Sequence, residues 1–184
     1  VLTMKSRLVL IAFLAFLTGC GSNAQVTTPT PSPTIAERIV PANCELPDVV
    51  AAFARIIPPS KYIPTMWTPA EGTDLAAALN SGGIACSYGD QDAEVGGTVL
   101  WAPAIAWKER EAIWKSEGME FVDIPNVDES SAYKLPDGAT SADGMPAWKV
   151  NLLINGIWIQ LGAAFIQSWN EATPIINAAI DATK

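Results

Sequence analysis

The chain contains no histidine. That removes the commonest general base, the Ser-His-Asp and Cys-His arrangements, and most zinc sites. Gly82-Gly83 and Gly96-Gly97 lack the following helix and lysine that a phosphate-binding loop needs. What remains is carboxylate chemistry. Asp90-x-Asp92-x-Glu94 is the densest acidic cluster, and alternating carboxylates of this kind can hold calcium. A calcium loop opened by Asp90 would need glycine at 95 and glutamate at 101, where the chain has Val95 and Trp101. The cluster is therefore read as a solvated hairpin turn. Asp123, Asp128 and Glu129 form a second acidic patch, read as a solvated strand end. Two carboxylates could in principle hydrolyse a glycoside, but no spacing singles out a pair. No catalysis, metal or dissociable cofactor is expected.

The N-terminus has three parts. Met4-Lys5-Ser6-Arg7 is a basic start, Leu8 to Leu17 an unbroken apolar run, and Leu17-Thr18-Gly19-Cys20 brings small residues before a cysteine. This is the layout of a secretory signal peptide, with Met4 as its expected start. The apolar run is far shorter than the roughly 20 residues a membrane-spanning helix needs. An ordinary cleavage site follows an Ala-x-Ala pattern, whereas Leu-Thr-Gly-Cys resembles the lipobox of bacterial lipoproteins. The resemblance implies that residues 1–19 are removed and that the Cys20 thiol carries a diacylglycerol. The protein would then be exported and held by lipid on the outer face of the cell membrane. Each buried methylene contributes about 0.8 kcal/mol, so two or more acyl chains hold stably where one does not. Residues 20–34 are this cysteine and a Thr/Pro/Ser linker, an extended spacer that is either bare or O-glycosylated on threonine.

Residues 35–184 suit a single domain. The chain has 11 basic and 19 acidic side chains, a net charge of −8. Losing Lys5 and Arg7 with the signal would make it more acidic still. Such a body is repelled by nucleic acid and by anionic lipid, so no nucleic-acid partner is expected and membrane contact falls to the anchor. With Cys20 lipidated, Cys44 and Cys86 remain in an oxidising compartment, where a disulfide is the natural reading and two free buried thiols the alternative.

The elements follow from periodicity. Leu46 to Ile57 has helical spacing, tolerates Pro47 in its first turn and stops at Pro58-Pro59. Tyr62 to Gly72 is expected as a loop, and Thr73-Asp74 as the cap of a short helix through Leu79. Ile84–Gly89 and Thr98–Ala102 read as strands across a polar turn from Asp90 to Gly97. Ala106 to Glu117 is a helix carrying Trp107, Ile113 and Trp114 on one side and Glu111 and Lys115 as an i,i+4 pair. Met119–Ile124 and Ala132–Leu135 are further strands, with a long loop from Pro136 to Pro146.

Asn155-Gly156 is the favoured pair for a two-residue type I′ hairpin turn. That register pairs Ile154 with Ile157, Leu152 with Ile159 and Val150 with Leu161 on one face. Leu153 with Trp158 and Asn151 with Gln160 fall on the other. The aliphatic face must meet a helical layer. The last helix supplies it, expected to start with Thr173 as cap and Pro174 first; the alternative start at Ser168-x-x-Glu171 would place Pro174 inside, where it costs about 3 kcal/mol. The fold class is α+β, a mainly antiparallel sheet packed with helices, without internal repeats.

Most of the seven tryptophans should be core. Trp158 and Leu153 are either covered by a second layer or form an exposed apolar patch. Together with Tyr62 and Trp67 in the early loop they are the candidate ligand contacts.

With Asn43-Cys44-Glu45-Leu46 opening a helix and Cys86-Ser87-Tyr88-Gly89 as a Cys-x-aromatic strand, the chain resembles the small cell-envelope lipoproteins of actinobacteria. Tyr88 stands where many of them have tryptophan. The resemblance implies an extracytoplasmic sensor-like or binding domain and transfers no catalytic residues. The expectation is a lipid-anchored binding or adaptor protein. It would serve an envelope protein, a small apolar molecule or a glycan; a carboxylate-based hydrolase is the remaining alternative.

Overall fold

A computed structural model describes residues 37–124, 130–140 and 144–184. The signal segment, Cys20, the linker 22–34, Asp128 and Glu129 lie outside the described residues.

The Asn155-Gly156 turn sets the centre of the molecule. Both residues have positive φ, 45° and 81°, as a type I′ turn requires. β6 (Trp148–Ile154) and β7 (Ile157–Ala163) therefore pair in the register expected, Ile154 with Ile157, Leu152 with Ile159 and Val150 with Leu161. β2 (Ile84–Asp90) and β3 (Val95–Pro103) form a second hairpin, and β3 joins β7. β4 (Glu120–Val122) and β5 (Ser130–Lys134) extend the other side. β1 (Lys61–Ile63) completes a seven-stranded sheet in the order β1-β2-β3-β7-β6-β5-β4, every neighbouring pair antiparallel.

One face carries Cys86, Tyr88, Val99, Trp101 and the six hairpin aliphatics under α1 (Pro47–Ala54) and α4 (Trp169–Asp181). Trp101 ties the layers, its indole N–H donating to the Ala179 carbonyl at 2.8 Å. The segment leading into α1 is bridged to β2 by the Cys44–Cys86 disulfide, with the two Cα atoms 5.4 Å apart. The opposite face is covered over part of its area by α2 (Asp74–Asn80) and α3 (Trp107–Ser116), on Ala85, Leu100, Ala102, Tyr133 and Trp158. Among the described residues no helix is long and apolar enough to cross a membrane.

The structure corrects several expected boundaries. Residues 61–63 form a strand, not part of a loop; Pro64 stops it at three residues and confines it to the sheet edge. The β2–β3 turn is shorter than Asp90–Gly97, because Val95, Gly96 and Gly97 already pair with Asp90, Gly89 and Tyr88. α4 starts at the Ser168 cap, not at Thr173. Ser168 Oγ accepts from the Glu171 N–H, and the Glu171 carboxylate accepts from the Gln167 N–H at 2.9 Å. Pro174 inside a helix costs about 3 kcal/mol. The earlier start seats the Trp169 ring 6.1 Å from that of Trp148 and buries Ala172 completely. A half-buried tryptophan contributes about 2–3 kcal/mol and the cap about 1 kcal/mol, enough to offset the proline. The Asn170 carbonyl, which loses its partner to Pro174, belongs to an exposed residue and can meet water.

Candidate functional site

The α2/α3 layer stops short of one end of the sheet. There, among the described residues, the second face is open, and a concavity of about 1040 Å³ lies over it. Its floor is a single cross-strand row. Ile63 pairs with Ser87, Ser87 with Thr98, Thr98 with Gly162 and Gly162 with Lys149. The Leu135 N–H then donates to the Lys149 carbonyl at 2.9 Å, carrying the row onto the end of β5. Six positions, each on a successive strand, span five strand spacings, about 24 Å at the usual inter-strand distance. The middle of the row is small: Ser87, Thr98 and Gly162. A Cβ added at Gly162 would meet nothing within 4 Å, so space stands directly above the floor at its centre. The feature is a trough running at right angles to the strands.

One wall is the covered row two residues further along, Ala85, Leu100, Gln160, Asn151 and Tyr133. The other wall has Asp90, Gln91 and Glu94 at the β2–β3 turn, and Met145 and Pro146 ahead of β6. Ser87 and Lys149 at the floor are partnered within the protein, whereas the Thr98 hydroxyl between them has no partner among the described residues. The Thr65 hydroxyl lies 3.0 Å from both the Ile63 carbonyl and Ser87 Oγ. Lys149 Nζ lies 3.4 Å from Asp74 Oδ2 and 3.7 Å from Glu117 Oε2.

Asp74 is the hub that holds the covering layer beside the trough. It is the first residue of α2, capped by Thr73, and its side chain is almost wholly buried. Oδ1 accepts from Arg110 Nε at 2.7 Å and from the Trp114 indole N–H at 2.9 Å, both on α3. Oδ2 accepts from Gln160 Nε2 at 2.7 Å on β7. Gln160 also donates to Asn151 Oδ1 at 2.7 Å, which the Trp158 indole N–H shares at 3.0 Å. Burial alone would raise the Asp74 carboxyl; the charge of Lys149, the Trp114 hydrogen bond and Arg110 outweigh it and hold the group below its ordinary value. This constellation clamps two helices to the sheet, and every polar group of it is engaged, so it offers no free nucleophile or base.

The four ligand contacts suggested by sequence do not form one site, and none lines the trough. Trp158 is fully buried, its ring 5.3 Å from that of Trp114, so a second layer does cover its face. Leu153 is half-buried beside it in the same cluster. Trp67 is half-buried, and its indole N–H donates to the Ala85 carbonyl at 2.8 Å. Tyr62 lies on the other face of the sheet, 6.1 Å from the ring of Tyr88. None of the seven tryptophans is exposed. The acidic cluster forms the hairpin turn expected of it: Asp90 Oδ1 accepts from the Asp92 N–H at 3.0 Å, and Glu94 takes a positive φ of 53°. Among the described residues no group of three acidic or cysteine side chains is placed to hold a metal ion. Sequence reasoning missed the trough. Its only trace is the run of small residues Ser87, Gly96, Thr98 and Gly162 on one face of three strands.

No protein-family model matches the chain, and no curated protein is significantly similar to it.

Proposed function

We propose that this protein is a lipid-anchored binding lipoprotein of the cell envelope, exported and tethered through Cys20, which holds a small ligand in the trough across its sheet. The observation that carries the ligand reading is the open space above Gly162, flanked along the whole register row from Ile63 to Leu135. An antiparallel sheet needs only one face covered and can leave the other to solvent. Here α2 and α3 are clamped by Asp74 over part of the face and leave a concavity of the size that small-molecule sites have beside them. The anchor rests on the lipobox-like Leu17-Thr18-Gly19-Cys20, and the acidic body leaves the lipid as the means of membrane attachment.

Two experiments test the two halves separately. Cys20→Ser should move the protein from the membrane fraction to the soluble fraction, or leave its signal uncleaved. A Cys20→Ser chain that is cleaved and still sediments with membranes would overturn the anchor. For the ligand, the exported chain is purified gently and weighed by native mass spectrometry. A discrete added mass is expected in the wild type and in Gly162→Ala, and its loss in Gly162→Trp. A Cβ at this position meets nothing within 4 Å and the backbone is not left-handed, so a side chain can be placed there without backbone strain. A bare polypeptide mass from all three chains would overturn the ligand reading and turn attention to an envelope protein as partner.

A further inference from the structure

The shape and charge of the trough restrict what it can hold. We infer that its ligand is an extended, alkyl-type apolar molecule with a neutral or cationic end group, lying across the strands over Ser87, Thr98 and Gly162. This rests on the ligand-binding reading above and makes it specific.

The floor is one register row about 24 Å long. The next row on the same face is about 7 Å away and already lies under α2 and α3. On the other side small residues, Gly96, Ala147 and Ala164, line the trough, so the slot is long and wide enough for two chains side by side. A compact, ring-shaped ligand would fill only a fraction of it. A sugar or an extended peptide would need hydrogen-bonding partners along its length. The hydroxyls of Thr65 and Ser87 are 3.0 Å from one another, and the Lys149 ammonium is engaged by two carboxylates. The Thr98 hydroxyl on the floor and the Gln91 and Glu94 side chains on the rim are unengaged among the described residues, too few to accompany a polar chain along the whole row. Ile63, Leu135, Met145 and Pro146 supply apolar contact towards the ends. An aliphatic chain asks for contact and nothing else.

Charge decides the end group. The titratable residues lining the trough are Asp90, Glu94, Lys149 and Tyr88, whose phenol is buried and uncharged. Asp74 and Glu117 already neutralise Lys149, which leaves the rim acidic. An anionic end group would meet the carboxylates of Asp90 and Glu94 without a free cation to answer it.

The test uses the full chain carrying Cys20→Ser, so that no covalent lipid competes. It is titrated calorimetrically with alkyltrimethylammonium ions from octyl to octadecyl, each below its micelle-forming concentration. Affinity should rise about fourfold per added methylene and then level off once the chain fills the trough. Gly162→Trp should bring the plateau at a shorter chain, and Gly162→Ala should leave it in place. Alkyl carboxylates of equal length should bind at least about tenfold more weakly, with Glu94→Gln narrowing that difference. Affinity that climbs with length without a plateau, that ignores Gly162→Trp, or that is equal for carboxylates would overturn the inference. A co-purified sugar or peptide mass that Gly162→Trp removes would overturn it while leaving the ligand-binding reading intact. A bare mass together with no alkyl binding would overturn both.

Discussion

Asp74→Ala is expected to lower the free energy of unfolding by about 3–5 kcal/mol, the cost of breaking a buried ion pair from one side. Arg110 is 7% exposed and would keep only the Gly72 carbonyl, 2.6 Å from its NH1. The Trp114 indole would lose its acceptor, and Gln160 would keep only Asn151. The loss is set by the stranded groups rather than by the worth of the pair itself. A double-mutant cycle separates the two: Asp74→Leu with Arg110→Met should cost clearly less than Asp74→Leu alone. Urea denaturation of the four chains measures it. A single substitution costing under about 1 kcal/mol would show that the clamp is not what holds α2 and α3 in place. Because the trough begins where this layer ends, Asp74→Ala should also blur the alkyl-length plateau.

The same residue gives a pH dependence with a definite sign. The Asp74 carboxyl is held below its ordinary value in the folded state. The unfolded chain therefore binds the proton at higher pH than the folded one does. The contribution is complete above the ordinary carboxylate value, about 3.9, and is lost as pH falls through the folded-state value. Asp74→Asn should flatten this part of the acid limb of the stability curve. An identical acid limb in the two chains would assign the acid sensitivity to other carboxylates.

Opening the Cys44–Cys86 bridge is expected to cost about 4 kcal/mol by the chain-entropy estimate for a loop of this length, the two cysteines being 42 positions apart. Cys44 lies three residues before α1 begins, and Cys86 is fully buried in β2. The Tyr88 phenol donates to the Cys44 carbonyl at 2.9 Å, and its burial pushes the phenol well above its ordinary value. The bridge and this hydrogen bond pin the entry of α1 to the sheet. Denaturation with and without a phosphine reductant should show the difference, and Cys44→Ala with Cys86→Ala should reproduce it. Thiol titration of the denatured, unreduced Cys20→Ser chain should find none free; two free thiols would refute the bridge. Tyr88→Phe should cost only about 1 kcal/mol.

Local chemistry determined a good deal of this protein from sequence. Asn155-Gly156 selects its turn through positive φ, and the turn then fixes the β6–β7 register and the identity of the aliphatic face. Thr73 as a cap and the Glu111–Lys115 pair are likewise decided by neighbours along the chain; the first helix, expected through Ile57 to a stop at Pro58-Pro59, ends earlier, at Ala54. The α+β class and the two cysteines that pair follow from the same level. The start of α4 was not decided there, since two caps compete locally and only the seat of Trp169 against Trp148 separates them. β1 was hidden because three residues before a proline carry no period; its partner β2 makes it a strand. The fate of Trp158 and the existence of the trough lay further from the sequence. The alternation of strand residues tells which side chains share a face, but not how far a covering helix reaches across it. That reach is set by Asp74, which draws Arg110 and Trp114 from α3 and Gln160 from β7 to one carboxylate. Those residues stand far apart in the chain, and only tertiary packing brings their charges and hydrogen bonds within range of one another.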